Sequence, residues 1–206
     1  MIQILSKRLL SEAEKTKRKL TVLGFDELNV LNQVDALYAD FEKECSGAFW
    51  EVYRMRYEEI CVWLKGKLPD EDLLDELVDM YLADLQDEPN PNTHYSFKSE
   101  LIRKRDRAKE AIIAVPTKVQ KQIELDKAVR YVIQQSAWYI DFASQDAEIQ
   151  AYKDAGVEKV KRNEMNDDRT CGACERANGA VYAIDKIPPL PHLRCRRWFE
   201  PYYGRK

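Results

Sequence analysis

Between Gly24 and the break at Leu68-Pro69, apolar side chains return every three or four residues: Leu31, Val34, Tyr38, Phe41, Cys45, Phe49 and Val52, then Ile60, Trp63 and Leu64. At 3.6 residues per turn this spacing lays them along one side of a single rod of some thirty residues, with Asp26 placed to cap its start. A helix of that length with one apolar stripe must pack against other helices, so the chain is expected to be mainly α. Cys45 and Cys61 belong to this stretch and read as buried thiols.

The remainder repeats the pattern. Asp70 caps a second helix whose inward face is Leu74, Leu77, Val78, Tyr81, Leu82 and Leu85. Its carboxylates, Asp72, Asp75, Glu76, Asp79 and Asp84, lie on the opposite face and read as solvated surface. Glu88–His94 is a loop, and His94 reads as a surface histidine. Ser96–Val115 forms a third helix with Phe97, Leu101, Ala108 and Ile112 inward, and it carries the basic run Arg103-Lys104-Arg105-Asp106-Arg107. Pro116 ends that helix and Thr117 caps the next. Thr117–Ser136 and Asp141–Ala155 are helical, separated by or continuous through Ala137-Trp138-Tyr139-Ile140, and Gly156 suits the position after the helix end. Met1–Lys19 is basic and amphipathic, helical from Ser11, and reads equally as a polar arm or a partner-docking helix.

Only 7 glycines and 33% charged residues fit a mostly helical protein. No run reaches the roughly 18 apolar residues of a membrane span, and Ile2, Ile4 and Leu5 meet Lys7-Arg8 too soon for a secretory segment. Five cysteines without such a segment favour a reducing compartment. From Gly156 onward there are 11 Lys/Arg against 7 Asp/Glu, whereas the rest carries 22 against 29. That asymmetry permits contact between the C-terminal part and nucleic acid or an acidic partner.

The chemistry sits in that C-terminal part. Asp167-Asp168-Arg169-Thr170-Cys171-Gly172-Ala173-Cys174 is followed by Pro188-Pro189-Leu190-Pro191-His192-Leu193-Arg194-Cys195. The spacing is C-x2-C, 17 intervening residues, then H-x2-C. Cys171, Cys174, His192 and Cys195 have the ligand types and paired spacing of a structural, tetrahedral Zn²⁺ site. Two other readings stay open: a redox pair at Cys171 and Cys174, and small buried thiols without metal. Four protein ligands would close the coordination sphere, which disfavours catalytic zinc. Asn178-Gly179 ends a helical turn begun near Cys174, and the prolines make Ile187–His192 a stiff arm. Ala180–Ala183 and Arg196–Phe199 read as short strands. No phosphate-binding glycine loop, dinucleotide fingerprint or nucleophile elbow is present, and neither histidine is placed as a catalytic base, so the chain is not expected to be an enzyme.

The run D-D-R-T-C-x-x-C, then Asn178-Gly179, an aromatic (Tyr182), an acid (Asp185), Pro188-Pro189 and H-x-x-C-R, resembles the C-terminal signature of phage head morphogenesis proteins. This is the minor head protein family typified by the F protein of phage Mu. The likeness runs from Asp126 to Pro201, is most specific from Asp167 to Arg196, and implies a strand over Val157–Lys161 leading into the Asp-Asp-Arg-Thr-Cys turn. Where the family often ends Pro-x-Cys-Arg-Cys, this chain has Leu193-Arg194-Cys195-Arg196-Arg197, so a ligand role for Cys195 rests on spacing alone. The resemblance implies a non-enzymatic role in procapsid assembly, in the capsid interior of the virion and in host cytoplasm during assembly. It further implies oligomeric association with portal, capsid and scaffold proteins and contact with packaged DNA, for which Arg103, Lys104, Arg105, Arg196 and Arg197 are the basic candidates. The alternative is a zinc-knuckle nucleic-acid-binding module on a helical dimeriser; a metal-dependent nuclease ranks third. The expected organisation is an N-terminal basic arm (1–24), a helical domain (25–155) and a small α+β Cys/His module (156–206).

Overall fold

The computed structural model describes residues 1–87, 96–188 and 196–204, without the side chains of 84–87. Five long helices come first: α1 (Ile2–Leu23), α2 (Glu27–Lys65), α3 (Glu71–Asp87), α4 (Phe97–Ala114) and α5 (Lys118–Asp154). A small module follows, in the order β1 (Lys159–Glu164), α6 (Gly172–Ala177), β2 (Val181–Ala183), a 3-10 turn (Ile184–Lys186) and β3 (Arg197–Pro201). The chain is thus mainly α with a C-terminal α+β element, as expected.

α2 and α5 are the two rods of the bundle, 39 and 37 residues long, and they lie along each other. α1 and α4 each pack on both, and α3 bridges α2 and α4. Most of the α2 stripe is buried as its spacing demands: Val34, Tyr38, Phe41, Cys45, Phe49 and Ile60 are buried and Leu31, Val52 and Leu64 half-buried, whereas Trp63, expected on the same side, is 63% exposed. Phe97, Leu101, Ala108 and Ile112 of α4 close on the same core. Phe49 of α2, Phe97 of α4 and Tyr139 of α5 form its aromatic centre, with Phe97 4.9 Å edge-on from each of the other two rings.

The N-terminal helix starts at Ile2 rather than near Ser11. Leu5, Leu9, Ala13, Thr16 and Leu20 form a buried stripe that runs through the basic residues, so the apolar side of this segment belongs to the core. α5 is continuous through Ala137–Ile140, since no glycine or proline interrupts it and Tyr139 and Ile140 are both buried. Its start carries a capping box: the Gln120 amide donates to the Thr117 hydroxyl (3.2 Å), and the Thr117 amide donates to the Gln120 side chain (3.3 Å). Thr117→Ala should lower stability by about 1 kcal/mol in urea titration, and Thr117→Ser should restore most of it.

At the other end, α5 stops in a Schellman cap. Gly156 sits at φ 76°, its amide donates to Lys153 O (2.9 Å), and the Val157 amide donates to Tyr152 O (3.0 Å). Val157 therefore belongs to the cap, and β1 begins two residues later than the resemblance implies. β1 is the central strand in the order β2-β1-β3, antiparallel to both neighbours. Val160 and Phe199 bury the sheet against Ala147, Ala151 and Tyr152 of α5 and Tyr57 and Ile60 of α2. The junction is polar as well. Tyr152 Oη is placed against Glu148 Oε1 (2.9 Å) and Phe199 O (3.2 Å), and Arg56 of α2 pairs with the other Glu148 oxygen (2.9 Å). Tyr57 donates to the Asp154 carboxylate (2.6 Å) and Lys65 to the Asp154 carbonyl (2.7 Å).

Candidate metal centre

β1 explains where the site lies. Its inward face carries Val160, Arg162 and Glu164, all buried, while Lys159, Lys161 and Asn163 point the other way. Two of three inward residues are charged, which is unusual for a strand packed on a core. They face each other: Arg162 Nε and Nη2 reach Glu164 Oε1 at 2.6 and 2.5 Å. The Arg162 side chain is only 2% exposed.

After β1 the chain turns through Met165–Thr170, with Asn166 in the left-handed region at φ 49°. Asp167 organises this turn. Its backbone amide donates to Thr170 Oγ1 (3.0 Å), its carbonyl accepts from the Thr170 amide (2.8 Å), and its carboxylate accepts from the Arg169 amide (3.0 Å). The same carboxylate receives both Arg196 terminal nitrogens, Nη1 at 2.7 Å on Oδ2 and Nη2 on Oδ1. The Arg196 guanidinium holds the Asp167 carboxyl well below the usual carboxylate range, helped by the Arg169 amide.

That turn delivers Cys171 to the start of α6. Cys171 is the N-cap: its carbonyl accepts from the Glu175 amide (2.9 Å) and its sulfur from the Cys174 amide (3.5 Å). Cys171 is half-exposed, whereas Cys174, three residues on, is buried against the helical core. Arg162 Nη2 lies 3.5 Å from the Cys174 sulfur. α6 then ends at Asn178-Gly179, with Gly179 at φ 80°. Its end is stitched back to β1: Gly179 N donates to Arg162 O (2.8 Å), Arg162 N to Ala180 O (2.8 Å), and Glu164 N to Asn178 Oδ1 (3.1 Å). These bonds seat α6, and with it Cys174, over the inward face of β1.

Of the four expected ligands, Cys171 and Cys174 occupy one turn of α6, with a backbone amide directed at the first sulfur. His192 and Cys195 lie outside the described residues, as do Pro189 to Pro191 of the expected arm and His94. The described ends of segment 189–195 are both tied down. Pro188 O accepts from Arg197 Nη1 (2.9 Å), and Arg196 is clasped by Asp167. Among the described residues, no group of three or more His, Cys, Asp or Glu side chains could hold a metal. The chemistry of the described half nevertheless suits Zn²⁺: two sulfurs of a C-x2-C turn with N–H donors beside both. The strands around it are antiparallel, unlike the βαβ surroundings of a thioredoxin-type redox pair.

The basic candidates for DNA contact are largely engaged within the chain. Arg103 pairs with Glu100 (2.7 Å), Lys104 lies 3.6 Å from the Tyr131 ring centroid, and Arg105 pairs with Asp35 (3.3 Å). Arg197 is buried and donates to Gln145 Oε1 (3.3 Å) as well as to Pro188 O.

Arg162 and Glu164 are the site residues that pattern reading passes over. The signal exists: Val160, Arg162 and Glu164 share one parity, so continuing the strand beyond Lys161 puts two charges on its buried side. The Asp167–Arg196 clasp spans 29 residues and leaves no periodic trace. Set against protein-family models, curated proteins and solved structures, the chain matches none of them.

Proposed function

We propose that the chain is a non-enzymatic minor head protein of a tailed phage or prophage, acting in head assembly. One observation supports this reading: Asp167, which opens D-D-R-T-C-x-x-C, and Arg196, which closes H-x-x-C-R, form a two-pronged ion pair. An ion pair between the acid at one end of a split motif and the base at the other is what a single folded unit would require. In this reading Cys171, Cys174, His192 and Cys195 hold a structural Zn²⁺, and the ion supplies tetrahedral cross-linking of a segment with little core of its own. The long helices supply protein–protein surface for portal and capsid subunits. Intramolecular engagement of Arg103, Lys104, Arg105, Arg196 and Arg197 favours assembly over nucleic-acid binding as the primary role.

The test is co-sedimentation of the zinc-loaded chain with portal rings and capsid shells of the same phage or prophage. The expected result is association that persists at raised salt. Chelation should abolish it, exposing the chain after Gly156 to protease while most helical circular dichroism remains. Failure to associate with either assembly, together with DNA binding that falls steeply as salt rises, would overturn the proposal.

A further inference from the structure

We propose that the outer face of α2 near its C-terminal end docks a second copy of this chain, antiparallel, across a two-fold axis beside Val62. Nothing in it depends on the Cys/His reading above.

The last turns of α2 build this face. Met55 and Val62, two turns apart, point away from the buried stripe, and Leu68 follows the helix end, where Gly66 takes a left-handed φ of 68°. Met55, Val62 and Leu68 are 61%, 46% and 66% exposed, and all three line one groove of about 620 Å³. Leu68 also lines a second groove, of about 440 Å³, whose wall includes the exposed Leu73 of α3. One leucine therefore joins two concave apolar strips into a single surface. Apolar side chains scattered singly need no partner, whereas a joined set of this kind marks a contact face.

Charge selects the occupant. On the N-terminal side of Val62, Arg54 pairs with Glu58 (3.2 Å), Glu71 (3.0 Å) and Asp75 (2.5 Å) at once, three negative charges against one positive. On the C-terminal side, Lys65 donates to the backbone carbonyl of Asp154 (2.7 Å), and Lys67 is exposed. The face is thus acidic at one end and basic at the other. Seven residues separate Glu58 from Lys65, close to two full turns, so both lie along the same edge of the face. An isologous contact requires a surface complementary to itself. Turned end for end about the point midway between Glu58 and Lys65, a second copy sets its own Lys65 against Glu58 and its own Glu58 against Lys65. Val62 then lies beside the axis, next to its counterpart. A partner of uniform charge would match one end and be repelled by the other.

The test is sedimentation velocity of the full chain over a concentration series, in which wild type should show a reversible monomer–dimer equilibrium. Val62→Glu should abolish the dimer with circular dichroism unchanged, since this side chain is outside the core. Glu58→Lys and Lys65→Glu each turn two cross-axis attractions into repulsions, and either alone should raise the dimer dissociation constant about 10–100-fold. Arg54 keeps Glu71 and Asp75 when Glu58 is changed, so the local fold has support. Mixed in equal amounts, the two single variants should associate again, because each carries the charge the other lacks. An effect within one chain does not produce that rescue. A wild type that stays monomeric at every concentration, a dimer indifferent to Val62→Glu, or single variants that remain apart when mixed would each overturn the proposal.

Discussion

Phe49→Ala should lower the unfolding free energy by about 3–5 kcal/mol, measured as a shift in denaturant midpoint at unchanged slope. Phe49 is fully buried where three helices meet, edge-on to Phe97 at 4.9 Å and 6.0 Å from Tyr139. Removing the ring takes away its transfer free energy and two aromatic contacts, each worth about 0.5–1.5 kcal/mol beyond burial. It also leaves a cavity whose walls belong to α2, α4 and α5, so collapsing it means moving helices rather than one side chain. Phe49→Leu keeps much of the volume and should lose clearly less. A loss below about 1 kcal/mol for the alanine variant would mean that this ring cluster is not the centre of the core.

Glu164→Gln is the second large effect, and its sign depends on the partner. With the carboxylate gone, Arg162 remains inside the sheet as an uncompensated cation, and about 3–5 kcal/mol of stability should be lost. Arg162→Met/Glu164→Met should recover most of that loss, because neither charge remains to be desolvated. The double-mutant cycle is then strongly non-additive. Equal losses in the single and double variants would show that the ions contribute through packing alone.

The pattern of the helices was readable because each carries its own period. Asp26 and Thr117 appear as caps, and the stripe of α4 and most of that of α2 are buried where their spacing puts them, with Trp63 the exception. The first helix was harder to read, since its lysines and arginines suggest a polar arm while Leu5, Leu9, Ala13 and Leu20 thread between them as a buried line. Boundaries shifted where backbone geometry intervened: Val157 looks like strand but is consumed by the Schellman cap. For the candidate site, cysteine spacing marks Cys171 and Cys174, and the helical turn after Cys171 follows from the Asn178-Gly179 stop. The Arg162–Glu164 pair and the Asp167–Arg196 clasp were illegible for different reasons. The first needs the strand's true length, and the second is a tertiary contact with no local signature.

The pinning of Asp154 has a mechanical consequence. With its carboxylate and carbonyl both held by α2, and Tyr152 and Glu148 joining α5 to β3 and Arg56, the sheet has no swivel where it meets the bundle. The module therefore rides at one end of a strut whose length is set by the 39 residues of α2, about 58 Å at 1.5 Å per residue. Anything gripping the sheet and anything gripping the opposite end are kept at that spacing, and a push on one is delivered to the other.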